Sequence, residues 1–171
     1  MTTIDLRALQ TPLKERYRAD PDAARITLEA HGRLGEGITC SVETARAVVA
    51  AGLHHATGGT DAFACSGNLL LEALAACAGV TLMAVATATG TDVRDGTVHV
   101  EGDLDFRGTL GVSKEAPVVF SDVRIRFELE SAATKEQLDN LIRLTERYCV
   151  VLQTLRRSPE VTASYAAEPA S

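Results

Sequence analysis

Periodicity along this chain predicts an α+β fold, and three observations carry that expectation. The first is Cys65 to Gly90, CSGNLLLEALAACAGVTLMAVATATG, where Glu72 is the only charge in an otherwise uncharged run. Alanine and leucine favour a helix here, Ser66 or Asn68 can cap its start, and Gly90 can end it. The second is Thr134 to Ser158, TKEQLDNLIRLTERYCVVLQTLRRS. Its Leu138, Leu141, Ile142, Thr145, Cys149, Leu152 and Leu155 recur at three- and four-residue steps, the pattern of one helical face. The third is strict alternation on both sides of the first helix, so the order reads strands, buried helix, strands, amphipathic helix, strand.

Taken in order, Leu13 to Tyr17 is expected as a short strand before an Asp20-Pro21 turn. Ile26, Leu28 and Ala30 alternate with polar residues, and beyond Gly32 to Gly37 the alternation resumes as Ile38, Cys40 and Val42, which predicts a hairpin. Ala45 to Leu53 fits either a helical turn or a strand, and HHATGGTDAF after it is a loop by composition. Past the buried helix, Val98, Val100, Gly102, Leu104 and Phe106 form one alternating set, and Val119, Val123, Ile125, Phe127 and Leu129 a second. Their polar faces are acidic and partly basic respectively, which favours antiparallel pairing across the connection from Gly108 to Pro117. Ser158-Pro159 should turn the chain into a last strand, Val161 to Tyr165. Residues 1–171 read as one domain, with 1–10 and 166–171 expected to be weakly ordered.

With 46% hydrophobic residues the chain can bury a real core. A net charge of -6 offers no electrostatic footprint for nucleic acid or an anionic membrane surface. The first residues carry no apolar core of signal-peptide length, so a cytoplasmic location is expected. The Cys65–Gly90 run is long enough to span a bilayer but is rich in Ala, Thr and Gly, contains Glu72 and lacks flanking Lys/Arg clusters, which favours a core helix. A helix apolar nearly all round needs cover on every side. One small sheet covers a single side, so a second subunit is expected.

LLLEALAACAGVTL followed by ERYCVVLQTL resembles the OsmC/Ohr family, the osmotically inducible and organic hydroperoxide resistance proteins, over roughly residues 12–165. The resemblance implies antiparallel sheets wrapped around two long central helices in an intertwined homodimer. It implies a thiol peroxidase acting on organic hydroperoxides, with Cys77 at the peroxidatic position and Cys149 at the resolving one. It also implies a dithiol reductant, lipoyl-type in the family, and no cofactor.

A thiolate attacks a peroxide, so Cys77 needs something positive to lower a thiol pKa that starts near ~8.5. Cys77 lies about three turns into its helix, too deep for its own helix dipole. In the family an arginine from the N-terminal region supplies the charge; Arg16 and Arg18 are the candidates here, Arg18 preferred, with Lys14 third. Family members carry a glutamate that orients this arginine at the position of Gly67. Glu72 is no substitute, since five residues from Cys77 place it about 140° round the helix. Cys65, near the helix start, is a possible accessory thiol, while Cys40 falls on the apolar phase of its strand. His54, His55 and Cys65 invite a metal reading, but no CxxC or HxxxH spacing accompanies them, so no metal is expected. Gly58-Gly59 lacks the phosphate-loop pattern, and no GxSxG elbow occurs. The alternative to a peroxidase is a non-catalytic member of the same fold that binds a small or lipid-like ligand, its cysteines serving as packing residues.

Overall fold

The computed structural model describes residues 6–20, 23, 25, 27, 32–34, 39–43, 48–60, 62–111 and 113–167. The chain opens with helix α1, Leu6–Ala19, which replaces the strand expected at Leu13 to Tyr17. Leu13, Lys14, Glu15 and Arg16 are good helix formers, and no β-branched residue sits among them to favour an extended chain.

Four short strands follow: β1, Gly32–Leu34; β2, Thr39–Glu43; β3, Val48–Gly52; and β4, Ala64–Cys65. They form one sheet in sequence order, β1-β2 and β2-β3 antiparallel and β3-β4 parallel. The expected hairpin is present with its first strand displaced: Gly32 and Leu34 pair with Val42 and Cys40 instead of forming the turn. Ile26, Leu28 and Ala30 lie outside the described residues, as does the Cys40 side chain. The ambiguous segment resolves to strand β3, led by the β-branched pair Val48 and Val49. The loop after it holds a 3-10 turn, His55–Thr57, capped by the His54 ring, which accepts the Ala56 N–H, and closed by Gly58 at φ 89°.

Helix α2, Ser66–Thr89, begins at Ser66, so its cap falls one residue before Ser66 and three before Asn68, the two expected caps. Cys65 holds the cap position and its side chain caps nothing, while Gly90 closes the helix in the left-handed region at φ 69°. Leu74, Ala78, Leu82, Val85 and Ala86 are buried, at steps of three and four. They face β5, Asp95–Leu104, and the two C-terminal helices. The opposite stripe, Glu72, Ala76, Val80, Met83 and Thr87, is exposed, with Val80 72% and Met83 49% accessible. By length and composition α2 alone among the described helices could cross a membrane.

Strand β5 pairs antiparallel with β6, Phe120–Glu130. Expected partners meet: Glu101 lies opposite Arg124, and Arg124 also binds Asp103 (2.5 Å) and Asp122 (2.6 Å). One cation thus relieves the like-charge pair Asp103 and Asp122, which face each other in the register. Phe106 leaves the strand for a single helical turn, α3, Phe106–Thr109, because the Asp105 carboxylate caps the Arg107 N–H.

The second long helix is two helices. Helix α4, Lys135–Tyr148, opens with a reciprocal cap between Thr134 and Gln137, and α5, Val150–Arg156, follows after a break at Cys149, where φ is -70° and ψ 107°. The stripe survives the break: Leu141, Thr145, Cys149 and Leu152 are all buried against α2 and the sheet. Two side chains bridge it. Gln153 Nε2 donates to the Glu146 carbonyl at 2.7 Å, and Arg156 pairs with the Glu146 carboxylate at 3.1 Å. Beyond α5, Val161 to Tyr165 forms no strand: the segment has no ladder partner in this single chain, and Val161 and Tyr165 stand 84% and 94% exposed.

Candidate active site

The break at Cys149 determines what surrounds Cys77. In an unbroken helix the Val150 and Val151 N–H groups would donate to carbonyls four residues back. As the first two residues of a new helix they have no such partner, and both hold the Cys77 thiol down, the Val151 amide acting on Cys149 as well. Of the carbonyls left behind at the end of α4, that of Glu146 is taken up by Gln153.

Cys77 is half-buried and Cys149 has no exposed surface. The two thiols are hydrogen-bonding neighbours, with Cys77 packed against the buried cluster of Leu74, Ala78, Cys149 and Leu152. Burial pushes the Cys77 thiol up, but the Val151 N–H, the Cys149 thiol, the Thr81 hydroxyl and the Val150 N–H together outweigh it, leaving Cys77 below an ordinary thiol. Burial also pushes Cys149 up. The Leu152 and Val151 amides offset part of that, while its bond to Cys77 and the charge developing there push it further the same way. The pair therefore loses its first proton from Cys77, with Cys149 remaining a thiol that donates to it.

Arg16 and Arg18 are exposed on α1, which touches α2, and neither is among the groups acting on Cys77 in this single chain. Arg18 sits at the C-terminal end of a helix, not at the strand end expected. The stabilisation of a Cys77 thiolate here comes from the Val151 and Val150 amides together with the Cys149 thiol and the Thr81 hydroxyl, and of these sequence reasoning missed the amides. A one-residue break keeps the three- and four-residue stripe in phase, so periodicity alone does not register it. The available signal was Gln153 and Arg156, placed to reach Glu146.

Gly67 sits beside the ring that takes the place of a side chain there. A Cβ on Gly67 would lie 3.3 Å from Phe120 Cζ, and one on Gly102 only 2.7 Å from Phe120 Cδ1, so the two glycines form the slot that holds the Phe120 ring. Cys65 lies next to this slot and lines a cavity of about 320 Å³ with His54, Gly67 and Phe120. Twelve residues of helix rise set it about 18 Å along the axis from Cys77. His54 stacks on Phe106 with ring centroids 4.9 Å apart. Among the described residues no group of three His, Cys, Asp or Glu side chains is disposed to hold a metal. Glu72 is exposed, away from the Cys77 sulfur's partners.

A larger cavity of about 670 Å³ lies between α2, β6 and the α4-α5 break, with Cys149 and Thr145 on its wall. What the arrangement can do is nucleophilic sulfur chemistry: a half-buried thiol held below the ordinary thiol pKa, with a second thiol packed against it.

The OsmC-like protein family model matches residues 59–164, which include both cysteines, and the chain belongs to that family. Solved structures with the same fold include an OsmC-like protein from Mycoplasma pneumoniae, 14% identical, TM-score 0.66, covering 78% of this chain and 89% of that one. An organic hydroperoxide resistance protein OsmC from Legionella pneumophila is 14% identical, TM-score 0.61, covering 78% and 93%. Another organic hydroperoxide resistance protein, from Elizabethkingia anophelis, is 14% identical, TM-score 0.56, covering 78% and 92%. No curated protein matches the chain.

Proposed function

We propose that this protein is a thiol-dependent peroxidase that reduces organic hydroperoxides, with Cys77 as the nucleophile and Cys149 as the resolving thiol. One observation supports the reading: Cys77 packs directly against Cys149, and the Val150 and Val151 amides at the start of α5 favour its thiolate. The Cys77 thiolate attacks the terminal peroxide oxygen, the O–O bond breaks, and the alkoxide leaves and takes a proton to become the alcohol. Cys77 is then a sulfenic acid. Cys149 attacks its sulfur, hydroxide departs as water with the proton Cys149 gives up, and the Cys77–Cys149 disulfide remains. A dithiol reductant, lipoyl-type as in the family, returns both thiols.

Arg18, or Arg16, completes the site as the cation that steers the peroxide, reaching it across a homodimer whose seam is the exposed α2 stripe of Ala76, Val80 and Met83. Apolar surface of that kind on a core helix is what a partner subunit covers. The setting is cytoplasmic, where four thiols stay reduced between turnovers. Stopped-flow loss of thiols on mixing with cumene hydroperoxide tests the reading. Rapid loss in wild type and none in Cys77→Ser supports it. No peroxide-dependent loss in any form transfers the protein to the ligand-binding alternative, which the 670 Å³ cavity favours.

A further inference from the structure

We propose that Gln153 is a positioning residue for the thiol pair: its side chain keeps the α4-α5 helix broken at Cys149 by occupying the carbonyl that would otherwise close the break. The effect on turnover rests on the peroxidase reading; the effect on the backbone does not.

The main chain at the break is tied to each helix separately. The Cys149 N–H donates back to the Thr145 carbonyl at 2.9 Å, and the Cys149 carbonyl accepts the Gln153 N–H at 2.9 Å. The next bond of a continuous helix would run from the Val150 N–H to the Glu146 carbonyl, four residues back. Gln153 Nε2 takes that carbonyl instead, at 2.7 Å and partly buried. Sharp breaks arise at proline, at glycine, or where a side chain enters the hydrogen-bond ladder. Residues Glu146 to Val151, ERYCVV, hold neither proline nor glycine, and Gln153 supplies the inserted side chain. Arg156, one turn further on, binds the Glu146 carboxylate at 3.1 Å. Both ends of that pair are about half-exposed, so it adds little and the weight falls on Gln153.

The break decides how α5 meets the cysteines. The Cys149 ψ of 107° lies about 150° from the helical value, which turns α5 off the α4 axis and against α2. Leu152 and Val151 then pack in the cluster that holds Cys77 beside Cys149. Once Gln153 is removed, the nearest donor along the chain for the Glu146 carbonyl is the Val150 N–H. Taking it turns Cys149 helical and swings α5 out of that cluster.

The test uses full-length reduced protein labelled with 13C-cysteine. The Cα shift of Cys149, identified as the signal missing from Cys149→Ser, reports whether that residue is extended or helical. Gln153→Ala, and Gln153→Glu, whose carboxylate cannot donate, should both move the signal to the helical side. Adding Val150→Pro to Gln153→Ala should return it, because proline has no N–H for the carbonyl and keeps the residue before it extended. After one equivalent of cumene hydroperoxide, the Cys77–Cys149 disulfide should form about tenfold more slowly in Gln153→Ala, and in the double variant at the rate of Val150→Pro alone. A Cys149 signal unmoved in both single variants overturns the inference whatever the protein does with peroxide, and so does a Gln153→Ala effect that Val150→Pro fails to suppress. A moved signal with a wild-type rate of disulfide formation overturns the positioning role. A moved signal in a protein whose wild type forms no such disulfide upholds the hold on the break and overturns the peroxidase reading instead.

Discussion

Replacing Val150 by proline removes one of the amides that face Cys77 while leaving the backbone undisturbed. Val150 is the first residue of α5, where proline's fixed φ fits and its missing N–H breaks no helical hydrogen bond. Proline also requires an extended residue before it, and Cys149 already sits at φ -70°, ψ 107°. The Val150 side chain is 69% exposed, so little packing is lost. A hydrogen bond to a charged acceptor contributes roughly 1.5–3 kcal/mol, and the Val150 amide is the weakest of the four groups that favour the thiolate, which places its loss at or below the lower end. Since about 1.4 kcal/mol corresponds to a factor of ten, the Cys77 pKa should rise and the thiolate population near neutral pH should fall about 3–10-fold. The midpoint of the pH profile for iodoacetamide capture at Cys77 measures the first quantity, and first-turnover peroxide reaction the second. Thermal unfolding should stay within about 0.5 kcal/mol of wild type. A folded Val150→Pro protein with an unmoved midpoint would refute the claim that the helix break activates Cys77.

Three further outcomes follow from other parts of the structure. In wild type, Cys77 capture should fall as pH drops through a midpoint below an ordinary thiol, because its folded pKa is depressed by hydrogen bonds to the thiolate; a midpoint above the free-thiol value in the same assay contradicts this. Gln153→Ala leaves the Glu146 carbonyl at the break without its partner and should cost about 1 kcal/mol, read by denaturant midpoint. Val80→Asp places a charge in the exposed stripe of α2; sedimentation equilibrium should show a dimer for wild type at micromolar concentration and a weakened one for the variant, and a wild-type monomer throughout removes the proposed seam.

The α2 stretch was legible from its run of uncharged helix formers, and the Thr134–Ser158 stripe and the paired strands β5 and β6 from a period sustained over ten or more residues. The cysteine pair was legible through the stripe that aims Cys149 inward and the motifs that flank each cysteine. Shorter or conflicting signals failed. Leu13 to Tyr17 was too brief for alternation to outweigh helix propensity, and Val161 to Tyr165 alternates but has no ladder partner in the single chain. The break at Cys149 was invisible to periodicity because its neighbours stay on one face, and it is this break that places two amides on Cys77. Phe120 in the Gly67 and Gly102 slot was equally hidden, since the three positions are far apart in the chain. Whether Arg18 or Arg16 acts at the site is a separate question: Arg18→Ala and Arg16→Ala, compared by stopped flow, should show a large loss of peroxide rate for one and little change for the other.

The most direct measurement is of the disulfide itself. Reduced protein is treated anaerobically with an equimolar amount of cumene hydroperoxide, trapped with N-ethylmaleimide, and mapped by mass spectrometry. The account predicts a peptide linked through Cys77 and Cys149, with Cys65 alkylated, and in Cys149→Ser a sulfenic acid at Cys77 instead. A linkage involving Cys65, or full alkylation of both Cys77 and Cys149 after peroxide, would contradict it.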